Sequence, residues 1–418
     1  MNRPRRQIVV MLSLGLMVIT TLALIPYSLT QSLVRRQPAT AAVSAVNSST
    51  SATKKPAVEP LFDVAVWYAA RSEAPETHGV LIESLNHEKL FASHNADVVF
   101  NPASLIKLAT SLVALKKLGA DYRFRTQVYA DGQVDSQGTF RGLLFFTGND
   151  PTFGDVAASM IATELRARGI KKIEGGVMVS PDFCFNFSES AEDSAGRLGK
   201  ALHLGEVTTG VAGSTAGNRL FTFDSYSLHD VLLYMNARSS NFIAERIGGT
   251  VGGAAGVQQF LIDELKLPAS EVTIARVSGR EHNRMTPRGL LTVIRALVEE
   301  AARQGLRPED IMPVASDDTG TLRRRLAGTG LEGAVIGKTG TLTSEVDGGM
   351  ASLAGVVYTQ DKGMIVFAIL DQGNRIWDNR QMEDQLLSEV INSQAAPLAV
   401  ASSTRRQLLP SSSLRIEK

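Results

Sequence analysis

Along this chain the rhythm of apolar and polar positions changes several times, and each change predicts a different kind of element. Ile8 to about Leu29 is an uncharged apolar run preceded by Arg3, Arg5 and Arg6. Roughly 20 apolar residues suffice to cross a bilayer, and leading arginines favour a cytoplasmic N-terminus. The pattern predicts a cytoplasmic start over 1–7, a single-pass signal-anchor over 8–29 in the inner (cytoplasmic) membrane, and a periplasmic remainder. A cleaved signal peptide is the competing reading, but the run is long for one, and its only small-x-small site, Ala39-Thr40-Ala41, lies well past its end. The flanks of Arg5-Arg6 fit a twin-arginine export signal poorly. Residues 30–58 include QPATAAVSAVNSSTSATKKPAV, which has almost nothing to bury and reads as a flexible linker. A similar composition over 393–418 predicts a disordered tail.

Between these segments, residues 59–392 switch between strand and helix periods. A helix over about Leu61 to Arg71 leads to a hairpin of Gly79–Leu85 and Lys89–Ala92, turning at Asn86 and His87. Leu105, Leu108, Leu112, Val113 and Leu115 recur at helical spacing over 104–118, and Gly119 is placed to close that helix in a left-handed conformation. Residues 120–211 read as a separate α/β subdomain: strands near Arg125–Ala130, Leu143–Thr147 and Gly176–Ser180, with a helix over Asp155–Arg168 ended by Gly169. A helical block from Ser227 to about Ala302 is broken by GGTVGGAAG at 248–256. These glycines lack the preceding strand and the Lys-Ser/Thr of a phosphate cradle, so they read as a flexible loop. Strand runs Ala334–Thr341, Met350–Tyr358 and Met364–Leu370 and a helix over Asp378–Asn392 complete the pattern. Strands from both ends of the chain, with helices grouped between, predict an α+β fold whose antiparallel sheet is covered by helices on both faces.

Composition adds mainly exclusions. A balanced chain of 418 residues with formal net charge +1 offers no electrostatic reason to expect nucleic acid as a partner. The single cysteine, Cys184, rules out an intrachain disulfide. Six histidines lie scattered without ligand spacing, so neither a metal nor another cofactor is expected, and His282 is given no role.

The chemistry lies in three short segments. NPASLIKLAT places Ser104 and Lys107 three positions apart at a helix start; alone, the pair reads first as a helix cap and an ordinary lysine. RSSNFIAER holds Ser239 and Asn241 between two helical stretches, where a cap and a solvated turn residue are the plain alternatives. GKTGTL holds Lys338, Thr339, Gly340 and Thr341 on a strand, where Gly340 implies that something approaches the backbone closely. In order, S-x-x-K, S-x-N and K-T-G form the motif set of β-lactamases and penicillin-binding proteins, each in the required context of helix start, interhelix turn and sheet strand.

The chain resembles the PBP4-like (peptidase S13) D-alanyl-D-alanine carboxypeptidases and endopeptidases. ALKKLGADYRFRTQVYADG, TGNDPTF and GTLRRRL also look like that group's sequences, and the likeness covers roughly 59–392. The resemblance implies a β-lactamase/transpeptidase-like fold, with a penicillin-binding domain over 59–119 and 212–392 and the α/β subdomain inserted at 120–211. It implies that Ser104 is acylated by peptidoglycan stem peptides ending in D-Ala-D-Ala, and by β-lactams, which would inhibit. Lys107 would take the serine's proton, a step whose agent is disputed in such enzymes, and would have to be neutral to do so. Burial and a second cation, Lys338, would lower its pKa. Ser239 would relay the proton to the leaving amine, Asn241 would hold the substrate amide and fix Lys107, and Lys338, Thr339 and Thr341 would bind the terminal carboxylate. Backbone N–H groups of Ser104 and Thr341 would hold the oxyanion.

The likeness is incomplete. Ser104 and Ser239 are only roughly 135 residues apart, so the insertion is cut down. The family's D-G-S-G-L segment appears as RVSGREH, and TSEVDGG lengthens the turn after the third motif, where Glu345 and Asp347 would bring acid to the mouth of the site. A β-lactamase, a non-catalytic scaffold that binds cell-wall peptide and a purely structural tethered protein are the alternatives. Oligomeric state and the preference for free ends or crosslinks are not readable from the sequence.

Overall fold

The computed structural model describes residues 59–400 and 408–417. The segments read as cytoplasmic start, anchor and linker, 1–58, lie outside the described residues. No helix among the described residues is long and apolar enough to cross a membrane.

After α1 (Val64–Ala69) come the hairpin β1 (His78–Ser84) and β2 (Leu90–His94), then α2 (Ile106–Leu118). A run of strands and two helices follows: β3 (Arg123–Val134), β4 (Thr139–Thr147), α3 (Asp155–Ala167), β5 (Lys172–Val179), α4 (Ala191–Ala201), β6 (Thr208–Val211) and β7 (Asn218–Ser227). Next are α5 (Leu228–Arg238), α6 (Asn241–Thr250), α7 (Gly253–Asp263), the short pair β8 (Val272–Thr273) and β9 (Arg284–Met285), and α8 (Pro287–Arg303). The chain closes with β10 (Val335–Leu342), β11 (Met350–Tyr358), β12 (Met364–Gln372), α9 (Ile376–Gln394) and β13 (Arg415–Glu417).

One sheet is antiparallel throughout, in the order β10-β11-β12-β1-β2. Its strands sort their side chains by the period of two. Leu81, Val366, Ala368 and Leu370 join the core that contains α2 and α8, whereas Val80, Ile82, Ile365, Phe367 and Ile369 join a second core under α1 and α9. Burial on both faces is why β12 reads as an unbroken apolar run. The helix covering the first face is set by local signals: Thr286 accepts a hydrogen bond from the Gly289 N–H at 3.0 Å, and Pro287 stands at the first helical position, where its missing N–H costs nothing.

The second sheet, β13-β7-β3-β4-β5-β6, is mixed. β4, β5 and β6 run parallel because α3 and α4 carry the crossovers. It differs from the expected subdomain in its extent: β7 lies past residue 211, and β13 comes from the far end of the chain. The disordered tail expected over 393–418 therefore needs correcting over its described parts, 393–400 and 408–417. Arg415, Ile416 and Glu417 pair with Asp224, Phe223 and Thr222, Leu408 and Leu414 are buried, and Leu398 donates its N–H to the Tyr358 carbonyl at 2.9 Å. A three-residue strand on a sheet edge is too short to carry a period, so composition alone hides it. The glycines at 248–256 also depart from expectation, since α6 and α7 run through most of them. Gly248 is a packing residue: a Cβ there would lie 2.4 Å from Val277 Cγ2.

Candidate active site

Ser104 sits in a 3-10 turn, Ala103–Leu105, immediately before α2. Asn101 shapes the approach by accepting the Ala103 N–H through Oδ1 at 3.1 Å, and Ala103 takes the left-handed φ of +51°. Two glycines press on this turn. A Cβ on Gly279 would fall 2.1 Å from the Ala103 carbonyl oxygen, and one on Gly340 would fall 2.9 Å from the Pro102 carbonyl oxygen and 2.1 Å from Ser352 Oγ. Only the absence of side chains lets the 278–279 segment and β10 close on the serine from two directions.

Lys107, one turn along, is fully buried, with its ammonium 3.0 Å from Ser104 Oγ and 2.7 Å from Asn241 Oδ1. Its third donor goes to the Ser278 carbonyl. All three protons are thus placed, and loss of one leaves a lone pair at the Ser104 hydroxyl with the other two bonds intact. Ser278 is itself held by its N–H donating to Glu245 at 3.1 Å, one turn after Asn241 on α6. Burial is the main reason the Lys107 pKa falls to about 7; Glu245 opposes the fall and Arg280 adds to it.

Ser239 ends α5 with a left-handed φ of +53°, which turns its hydroxyl to the Lys338 ammonium at 2.9 Å, and Ser240 caps α6 behind it. Lys338 is also fully buried, and donates to the Thr339 carbonyl at 2.6 Å. Burial and then Lys107 hold its pKa well below the ordinary lysine range. Repulsion between Lys107 and Lys338 is mutual and disfavours charging both, and Arg280 is a further cation acting on Lys107.

The structure thus sets two hydrogen-bonded groups side by side, Lys107 with Ser104 and Asn241, and Lys338 with Ser239, the two ammonium groups near enough to repel, with Gly340 against the serine turn. Thr339 and Thr341 alternate with Lys338 and Gly340 along β10; the Thr341 hydroxyl donates to the Gly340 carbonyl at 2.7 Å and accepts from Arg380 of α9 at 2.6 Å. Sequence reasoning missed Asn101, Glu245, Ser278, Arg280 and Arg380. Three carried a signal, Glu245 by its spacing of four from Asn241, and Ser278 and Arg280 by lying in the divergent RVSGREH segment. Asp347 is not free acid at the mouth: Arg284, Asn101 and His282 hold it, and although burial works against them they bring its pKa down to about 2. Among the described residues no group of His, Cys, Asp or Glu is placed to hold a metal.

The sequence profile of the D-Ala-D-Ala carboxypeptidase 3 (S13) family matches residues 68–195 and 184–390. The chain belongs to this S13 family. A curated relative, the D-alanyl-D-alanine carboxypeptidase of Actinomadura sp. (strain R39), is 28% identical over 114 residues, which is 27% of this chain and 21% of that protein's length. The chain therefore spans about a fifth of that relative. Among solved structures, the penicillin G acylated predatory endopeptidase Bd3459 of Bdellovibrio bacteriovorus, in complex with its immunity protein Bd3460, superposes with a TM-score of 0.66 at 22% identity, covering 79% of this chain and 96% of that one. Penicillin binding protein 4 of Haemophilus influenzae, complexed with a β-lactam, gives a TM-score of 0.60 at 18% identity, covering 75% and 96%. The two likenesses establish the S13 chain's fold as that of PBP4-like peptidases, the expected α+β architecture.

Proposed function

We propose that this S13 chain is a serine-type D-Ala-D-Ala carboxypeptidase/endopeptidase that acts on peptidoglycan stem peptides through an acyl-enzyme on Ser104 and is inhibited by β-lactams. The observation that carries this reading is the buried Lys107 amine, 3.0 Å from Ser104 Oγ, with a pKa of about 7. At neutral pH a substantial fraction is neutral and can accept the serine proton, a match between base and working pH that general-base catalysis requires. The Ser104 oxygen then attacks the penultimate D-Ala carbonyl. Asn241 keeps Lys107 aimed and is the substrate-amide partner, and the N–H groups of Ser104 and Thr341, flanking the Gly340 contact, are assigned the oxyanion. As the C–N bond breaks, the proton reaches the leaving amine through Ser239, which Lys338 contacts at 2.9 Å. Water then attacks the ester and the same base takes its proton. The printed descriptions of the relatives, a carboxypeptidase, a β-lactam complex and a penicillin-acylated endopeptidase, support this chemistry.

We also propose that the apolar run over 8–29 places this activity outside the cytoplasmic membrane, where its substrate lies. The test of the enzyme reading is covalent labelling with a fluorescent penicillin, beside Ser104→Ala, followed over hours. A stable adduct that requires Ser104 is expected, together with release of D-Ala from a D-Ala-D-Ala peptide. Rapid loss of the adduct favours a β-lactamase, and absence of any adduct favours a non-catalytic scaffold.

A further inference from the structure

One cation beside the site has no part in the reaction described above. Arg380, in the second turn of α9, is half-buried, and its Nη2 donates to the Thr341 hydroxyl at 2.6 Å. Because that hydroxyl gives its own proton to the Gly340 carbonyl, it meets an incoming anion with no donor to offer. The donors at this point belong to the guanidinium. Among the described residues Arg380 forms no salt bridge, and neither do Arg323 and Arg324, which line the same cavity, whereas Arg375 is paired with Glu73 and Asp378, and Arg325 with Glu383 and Asp384.

The ground around Arg380 is built for an anion. A cavity of about 570 Å³ on this side of β10 is lined by Thr339, Thr321, Arg323, Arg324, Trp377 and Arg380. Its one carboxylate, Asp384, is taken by Arg325 in a two-oxygen contact of 2.8 and 3.0 Å. Arg325 also donates to the Arg380 backbone carbonyl at 3.0 Å, and the Trp377 ring lies 5.0 Å from the Arg380 guanidinium carbon. The cation is therefore held in place while keeping most of its N–H groups for a ligand.

We propose that Arg380 is a specificity-determining residue that binds the carboxylate carried by the leaving group, with the Thr339 hydroxyl as its companion donor and Thr341 as the residue that positions the guanidinium. This rests on the activity proposed above and names the part of the substrate that it reads. The same carboxylate occurs in both reactions. A terminal D-alanine bears it beside the departing amine, and so does a crosslink whose bridging amine sits on a carboxylate-bearing carbon.

The experiment compares an acyl-D-Ala-D-Ala peptide with its C-terminal carboxamide, using the full chain and the Arg380→Gln and Arg380→Lys variants. The native protein is expected to favour the free acid. Charge-assisted pairs of this kind support a fall of about tenfold to a hundredfold in kcat/KM on the acid for Arg380→Gln, with the amide unchanged. Arg380→Lys, which keeps the charge and loses the fork, should retain part of the preference and is read alone if the glutamine variant fails to fold. An equal fall on both substrates, or an unchanged preference, overturns the assignment while leaving the activity standing. A native protein that takes up no penicillin and cleaves neither peptide overturns both.

Discussion

Two buried cationic centres in this molecule respond in opposite ways to the same penalty. Lys107 and Lys338 lie out of reach of solvent, and each spends its protons on neutral oxygens of Ser, Asn and backbone carbonyls. Arg325, on the α9 side, is buried too, but Glu383 meets its Nη2 at 2.6 Å and Asp384 its Nε. Burial alone would lower its pKa, yet the two carboxylates outweigh burial and raise it above the ordinary arginine range. The lesson is that burial sets the size of the penalty, and the counter-charge decides whether the group stays a fixed ion or becomes a base.

Breaking the uncompensated centre should produce the largest effect. Lys107→Met removes the base, and the acylation rate, followed by penicillin labelling, should drop by about 10²–10⁴-fold. Breaking the compensated centre should act on stability instead. Arg325→Met leaves the buried Glu383 and the partly buried Asp384 beside it without their cation, and urea unfolding should register a loss of about 3–5 kcal/mol while the folded fraction still labels.

The same contrast has a pH signature. In the native protein Lys107 has a pKa of about 7, whereas an unfolded lysine titrates near about 10.4. Between those values the unfolded chain holds the extra proton, so the Lys107 contribution is fully present above the upper pKa and is lost as pH falls toward the lower one. Denaturation midpoints of the native protein should therefore rise with pH across this window more steeply than those of Lys107→Met. The finest test tunes the base. Glu245 raises the Lys107 pKa and Arg280 lowers it, so Glu245→Gln should move the acidic limb of the acylation rate to lower pH and Arg280→Gln to higher pH. Each changes the rate below neutrality only a few-fold, and shifts in the same direction would refute the electrostatic account.

The site was more legible in sequence than its surroundings. Ser104 and Lys107 stand one turn apart, so local geometry alone brings them together, and the order of the three motifs supplied the rest. Arg280, Ser278 and Arg380 reach the cluster through loops and a helix whose positions depend on tertiary packing, and no spacing links them to Ser104. Gly340 announced a close backbone approach but not its partner, which is the Pro102–Ala103 turn. On the larger scale, strands such as β12 were readable because both faces are apolar. The β13 segment was not, since its three residues owe their conformation to β7 rather than to their own pattern.

The register of β1 on β12, which joins His78 to Asp371 and Ser84 to Ile365, carries a temporal consequence. A ribosome delivers the nucleophile's neighbourhood early and Lys338 with its supporting strands much later, so the growing polypeptide holds Ser104 for most of its production without the groove that would aim it. Competence to attack a peptide is therefore deferred until nearly the last strand has emerged, which keeps a half-made hydrolase chemically silent.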